Sequence, residues 1–187
     1  MTGQDQIAYP RRAVVDTCVI LNVALGEKDS LPSECLPRSK RLLADAIEQK
    51  ELELFIPTMA LIELISDHAI NTQSGLTRSE SRRAKRMLLD WCEQCGLPAV
   101  DLTAEAVEWF RQTSALQKLR PGDAAVLASA KYVNAEIVYT WDKRFIKVVE
   151  KANADIPLGI TACPPPEIPK IMREMTLFDD LVPEPDL

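Results

Sequence analysis

The 187 residues contain a single histidine, His68. Acid–base catalysis by a pair of imidazoles therefore has no agents. Aromatic residues are only 5% of the chain, so platforms for stacking bases cannot be numerous. No apolar run approaches the ~18 residues of a membrane span. The start, Met1-Thr2-Gly3-Gln4-Asp5-Gln6, lacks the apolar stretch of a secretory leader. The cysteines (Cys18, Cys35, Cys92, Cys95 and Cys163) are odd in number, and with no leader before them reduced thiols in a cytoplasm are expected. Basic charge is also missing: the formal net charge is −6, whereas a generic nucleic-acid binder is basic. Much of that acidity lies at the end. Between residues 164 and 187, Glu167, Glu174, Asp179, Asp180, Glu184 and Asp186 face only Lys170 and Arg173, a net of −4, which leaves −2 for the rest. A small cluster of carboxylates accounts for that remainder, so charge alone neither supports nor excludes a nucleic-acid substrate.

A domain near this length buries roughly 70% of the surface its unfolded chain exposes, enough for a core without disulfides. The expected organisation is one domain over residues 1–162 and an acidic, proline-containing tail over 163–187, where Pro164-Pro165-Pro166 should be extended. Arg12–Asp16, Glu53–Pro57, Leu97–Leu102 and Glu136–Tyr139 read as short buried strands, and Ile156–Thr161 as an edge strand. Helices are expected over Cys18–Leu25, over Ser39–Lys50 with Leu42, Leu43, Ala46 and Ile47 inside, and after Thr58 with Leu61, Ile62, Ile65 and Ala69 inside. Thr58 is placed to cap the last of these. Another starts at Thr77, whose spacing to Glu80 is that of a capping box, with a stripe of Ala84, Met87, Leu88, Trp91 and Cys95. Thr103–Lys118 should be helical, burying Ala106, Val107, Phe110 and Leu116. Pro121 opens a further helix packed by Ala124, Val126, Leu127 and Ala130, and Phe145–Val149 a short one. Gly26–Pro37 reads as loop. Strands alternating with helices predict an α/β fold, a three-layer α/β/α sandwich with a mostly parallel central sheet.

The chemistry is carried by acids. Asp16 ends the first strand, Glu63 lies about one helical turn past the second, and Asp142 lies just past Glu136–Tyr139. Ligands of open α/β sheets collect outside the carboxyl ends of the strands. Asp123 occupies the first turn of the helix leading into the last of these strands, where the helix dipole favours a carboxylate. Only a sheet edge can gather residues so far apart in sequence. Four bare carboxylates cannot share a small space, and hard divalent cations with oxygen ligands resolve the conflict.

Four stretches resemble the motifs of PIN (PilT N-terminus) domains. They are Val14-Val15-Asp16-Thr17-Cys18-Val19-Ile20-Leu21, Pro57-Thr58-Met59-Ala60-Leu61-Ile62-Glu63-Leu64, Gly122-Asp123-Ala124-Ala125-Val126-Leu127-Ala128-Ser129-Ala130 and Tyr139-Thr140-Trp141-Asp142-Lys143-Arg144-Phe145. The resemblance spans roughly residues 12 to 160. It implies an endoribonuclease that uses Mg²⁺ or Mn²⁺ to cut RNA, with Asp16, Glu63, Asp123 and Asp142 as catalytic and metal-holding residues. Thr17 and Thr140 match positions whose hydroxyls orient the acids or a metal water. Lys143 and Arg144, which flank the site, are expected to contact substrate. Many family members are toxins of VapC-like toxin–antitoxin pairs and dimerise. A protein antitoxin and a homodimer are therefore the partners the resemblance points to, with no membrane role. Cys18 stands where the family often has Asn or Ser, and Arg144 where many members carry a further acid.

Blander readings stand beside these. Asp16 also suits a helix cap, Glu63 a solvated helix residue, Asp123 a helix N-terminus and Asp142 a turn. Cys92-x-x-Cys95 has no second pair to complete a zinc site, and packing is its expected role. Arg78, Arg82, Arg83, Lys85 and Arg86 read as a solvated face, with contacts to the phosphates of a nucleic acid as the alternative. Two other functions compete: a PIN-like RNA- or protein-binding module without activity, and a haloacid-dehalogenase-like phosphatase using Asp16. The phosphatase needs a second acid two residues on, where this chain has Cys18.

Overall fold

The computed structural model describes residues 7–25, 32–48, 51–66 and 77–169. His68, Ala69, residues 26–31 of the expected loop 26–37 and the tail beyond residue 169 lie outside the described residues, as do the side chains of Arg78, Glu80, Ala84, Lys85, Leu88 and Cys95.

Five strands form one all-parallel sheet in the order β3-β2-β1-β4-β5: β1 Arg12–Val15, β2 Glu53–Pro57, β3 Ala99–Val100, β4 Ile137–Tyr139 and β5 Thr161–Cys163. The helices are α1 Thr17–Leu25, α2 Cys35–Glu48, α3 Thr58–Ile65, α4 Arg78–Cys95, α5 Ala104–Gln112, α6 Pro121–Tyr132 and α7 Lys143–Asp155, with a 3₁₀ turn at Ser114–Leu116. Parallel strands require crossovers, and the helices that make them cover both faces. The period-2 alternation of the strands divides the core accordingly. Ala13 and Val15 of β1, with Leu54 and Ile56 of β2, face Val19, Ile20, Leu42, Leu43 and Leu64. Val14 of the same strand, with Val138 of β4, faces Val126, Leu127, Phe145 and Val149. The result is the expected α/β/α sandwich. From β1 the chain winds to β2 and β3 on one side and to β4 and β5 on the other, so the order reverses between β1 and β4. In open α/β sheets that switch point is where ligands bind.

Several boundaries and faces differ from the sequence expectation. Helix α2 begins at Cys35, inside the expected loop, because Pro37 sits in its first turn, where a missing N–H costs nothing. Its Ile47 is 50% exposed. In α3 the cap position is Pro57, and Thr58 is already helical. The helix docks through Ala60 and Leu64, so at about 100° per residue Ile62 and Ile65 point away and are 59% and 53% exposed. Glu63 falls on the flank of the docked side. Met87 and Val107, expected inside, are 61% and 48% exposed. The expected helix 103–118 breaks at Thr113, whose hydroxyl donates to the Trp109 carbonyl, and the 3₁₀ turn then inserts Leu116 fully into the core. Thr103 does cap α5, accepting from the Ala106 N–H. Helix α7 is longer than Phe145–Val149 because Asp142 caps it and Phe145, Val149 and Ala152 bury one continuous side. Strand β3 is shorter than Leu97–Leu102. The last strand lies later than Ile156–Thr161: Asn153 bridges the Leu158 N–H and the Ile160 carbonyl, holding 158–160 as a turn around Gly159 at φ +72°. Strand β5 runs to Cys163, one residue past the expected boundary at 162.

These positions differ in what truncation should cost. Leu116→Ala is expected to lose about 2–5 kcal/mol, as emptied core sites do, whereas Ile62→Ala should stay within about 0.5 kcal/mol. Urea unfolding of both variants checks the contrast.

Candidate active site

Asp16 follows β1 directly. Its backbone N–H donates to the Tyr139 carbonyl at 3.0 Å, which locks it against the end of β4, and it is 8% exposed. The carboxylate survives burial because it is hydrogen-bonded. Its Oδ2 accepts from the Thr140 hydroxyl at 2.6 Å and from the Cys18 thiol at 3.1 Å. Thr140 works in two directions, since its Oγ1 also accepts the Asp142 N–H at 3.0 Å. The Cys18 sulfur in turn accepts the Trp141 N–H at 3.1 Å. One hydroxyl and one thiol thus tie the end of β1 to the 140–142 turn.

Glu63 arrives from α3. Its Oε2 accepts from the Thr17 hydroxyl at 2.6 Å, which fixes it to the start of α1. Its other oxygen rests against α6 at Gly122, where an added Cβ would lie 2.5 Å from Glu63 Oε1. Only glycine leaves that space.

Asp123 is the third residue of α6 and Asp142 is the N-cap of α7. Each helix dipole favours the negative charge at its start. Asp142 Oδ1 accepts from the Arg144 and Phe145 N–H groups at 2.7 and 3.1 Å, while Oδ2 lies 3.7 Å from the Arg120 guanidinium. Asp123 Oδ2 is buried with no hydrogen-bond partner. Burial, then the charges of Asp142 and Asp16, push its pKa up to about 6 against a smaller pull from Arg120. Asp16 is also raised, by burial above all and by Glu63 among the smaller causes, against the hydrogen bonds from Thr140 and Cys18. Burial beside Asp16 pushes the Cys18 thiol well up, so it stays a donor.

The four acids therefore meet at the switch point, from four different elements. Among the described residues no three His, Cys, Asp or Glu side chains form a ready-made coordination shell. Asp16, Glu63 and Asp142 each turn an oxygen toward a protein donor. The unpartnered Asp123 Oδ2, crowded by two like charges, is nevertheless the kind of acceptor that a hard cation satisfies.

Sequence reading missed three participants. Arg120, the residue before Pro121, is the nearby cation. Gly122 provides room for Glu63. Trp141 anchors the turn: its Nε1 donates to Ser39 at 2.8 Å and Arg38 lies over its ring at 5.1 Å, while Arg38 also donates to the Pro165 and Pro166 carbonyls. The Pro-rich run was a visible signal, but its clamp was not. Lys143 and Arg144 are exposed on the first turn of α7, where the Arg144 backbone N–H donates to Asp142. Cys92 is buried in the core, in keeping with a packing role.

The raised pKa of Asp123 has a sign. Because the folded value exceeds the unfolded one, its contribution to stability is present below about pH 4 and is lost as the pH rises through about 6. In EDTA, Asp123→Asn should therefore raise Tm at pH 7.5 and change it little at pH 4. Thermal melts across that range check the crossover.

Comparison with known proteins agrees with this fold. The model of the PIN domain matches residues 13–151. The fold is similar to the structure titled "Crystal Structure of FitAcB from Neisseria gonorrhoeae", with a TM-score of 0.50 and 14% identity over 82% of this chain and 97% of that one. No curated protein matches. With the matched region covering most of the chain and all four acids, the chain belongs to the PIN-domain family.

Proposed function

We propose that this protein is a metal-dependent endoribonuclease that hydrolyses RNA phosphodiester bonds, with Asp16, Glu63, Asp123 and Asp142 as its catalytic and metal-holding residues. The observation that carries the reading is the buried, unpartnered Asp123 Oδ2 among like charges. A site that keeps such an atom is built for a ligand of opposite charge. Asp16, Glu63, Asp123 and Asp142 would hold Mg²⁺ or Mn²⁺, which would supply positive charge for the phosphate and lower the pKa of a bound water. The chain's own groups do the positioning. Thr140 and Cys18 hold Asp16, Thr17 holds Glu63, and the α7 N-terminus holds Asp142. Arg120 offers a guanidinium beside Asp142 for a phosphate oxygen. Lys143 and Arg144 extend positive charge toward the incoming strand. Thr17 and Thr140 serve substrate indirectly, through the acids.

The partners of this reading are RNA, a second copy of the chain and, in the setting of a toxin–antitoxin pair, a protein antitoxin. The exposed Ile62 and Ile65 offer an apolar patch on α3 for such contacts. No described helix is long and apolar enough to cross a membrane, and a cytoplasmic location belongs to the same proposal.

The decisive assay is cleavage of a labelled RNA with and without EDTA. Wild type should cut only with Mg²⁺ or Mn²⁺ and leave a 5′-phosphate, because attack by water does not use the 2′-hydroxyl. Asp16→Asn and Asp123→Asn should fall by more than the roughly 10–100-fold that loss of an outer-shell partner costs. Cutting that survives EDTA, or equal cutting by Asp16→Asn, would refute the mechanism, and turnover of a phosphomonoester instead would favour a phosphatase. Either divalent ion should also raise the wild-type Tm by mass action, and raise that of Asp16→Asn less.

Gly122→Ala separates stability from activity. The residue is helical and the obstructing atom is the end of a flexible side chain. Tm should hold or rise, since alanine favours helix, while cleavage drops about tenfold or more as Glu63 is displaced, a loss in the range that a disturbed outer shell produces. Unchanged activity in a folded Gly122→Ala would remove Glu63 from the proposed machinery.

A further inference from the structure

A groove runs away from the acids along α7 and the 3₁₀ turn. Lys118, Lys143, Arg144, Lys147 and Lys151 line it, against the single carboxylate of Asp155. Five cations to one acid is a local reversal in a chain of net charge −6. All five basic side chains are exposed. Val148 and Ala152 form part of the floor, half-buried and buried respectively.

The arrangement is regular. Lys143, Lys147 and Lys151 recur every four residues on α7, so they share one side of the helix and are spaced about 6 Å apart along its axis. That interval is comparable to the separation of successive phosphates along an extended strand. Arg144 bridges to the second wall, donating to the Lys118 carbonyl at 3.4 Å. The row starts at Lys143, the residue after Asp142, so a polyanion lying in the groove leads directly to the acidic edge. The described lining has no aromatic ring. Bases have nothing there to stack on, and recognition falls to the backbone, which positions a strand without reading its sequence.

From this we infer that the groove of Lys118, Lys143, Arg144, Lys147 and Lys151 is a binding track for the phosphodiester backbone of single-stranded RNA. It holds the nucleotides on one side of the acidic edge. Lys118, Lys147 and Lys151 act only in binding, the two α7 lysines lying about 1.4 and 2.5 helical turns past Asp142. The ribonuclease reading supplies the choice of RNA as the polyanion. The track itself stands on charge, spacing and continuity with the site.

The test measures binding rather than cleavage. A mixed-sequence 12-nucleotide single-stranded RNA is titrated with the full chain in EDTA at several salt concentrations. Wild type should bind with a steep salt dependence. Lys147→Gln/Lys151→Gln should weaken binding about tenfold and flatten the slope of log K against log salt by about 1.4, the value for two lost phosphate contacts on a single strand. Arg82→Gln/Arg83→Gln, which neutralises exposed charge on α4 outside the groove, should stay within twofold of wild type. The track is overturned if wild type does not bind, if the lysine pair binds like wild type, or if both pairs weaken binding equally. Preference of the groove for a poly-glutamate peptide over the RNA would overturn it in favour of an acidic protein segment. The outcomes separate from those of the cleavage assay. Groove-dependent binding without metal-dependent cutting removes the nuclease reading and keeps the track. Metal-dependent cutting with unchanged binding by the lysine pair removes only the track.

Discussion

Crowded negative charge at one sheet edge is the constraint around which the rest of the molecule is organised. Four carboxylates converge where the strand order reverses, and one of them, Asp16, is almost fully buried. Each is stabilised by a different local device. Asp16 has a hydroxyl and a thiol, Glu63 a hydroxyl, and Asp142 two N–H groups at a helix start. Asp123 has a helix dipole but no donor for its buried oxygen. The set is therefore nearly but not fully compensated, and the deficit falls on Asp123, which the charges of Asp142 and Asp16 also crowd.

The scaffold serves that arrangement at several levels. An all-parallel sheet directs every strand's carboxyl end to the same edge, so Asp16 and Thr140 become neighbours although 124 residues separate them. The buried β1 and β4 contribute rigid ends, and the helices that follow contribute their positive termini. Trp141, held between Ser39 and Arg38, fixes the turn that carries Thr140 and Asp142. Arg38 extends that brace to the first prolines of the tail, so the end of the domain is tied to the turn beside the acids. Outside the edge the sign of charge reverses along α7. A polyanion approaching along α7 would meet cations first and acids last.

The sequence is most legible where local rules act alone. Arg12–Val15 and Glu53–Pro57 are apolar and bounded, Pro121 marks a helix start, and the four acids follow recognisable element ends. Reading fails where packing decides. Ile62, Ile65, Met87 and Val107 fit helical stripes yet face outward, because periodicity names a side of a helix without saying which side the sheet will take. The helix expected over 103–118 breaks at Thr113, and the 3₁₀ turn that follows buries Leu116, a tertiary contact that periodicity does not show. Lys147 and Lys151 look like ordinary surface lysines until Lys118 faces them across a groove.

Sequence by itself determines the alternation of strands and helices, hence a parallel sheet, and which carboxylates stand at its edge. Those follow from hydrophobic period and from the positions of acids relative to element ends, both local properties. Only the tertiary structure decides how the acids are held: which hydroxyl bonds which carboxylate, that Gly122 must leave space for Glu63, and that one oxygen of Asp123 is left without a donor. Those depend on distances between elements far apart in sequence, and such distances arise from how the two helical layers pack on the sheet.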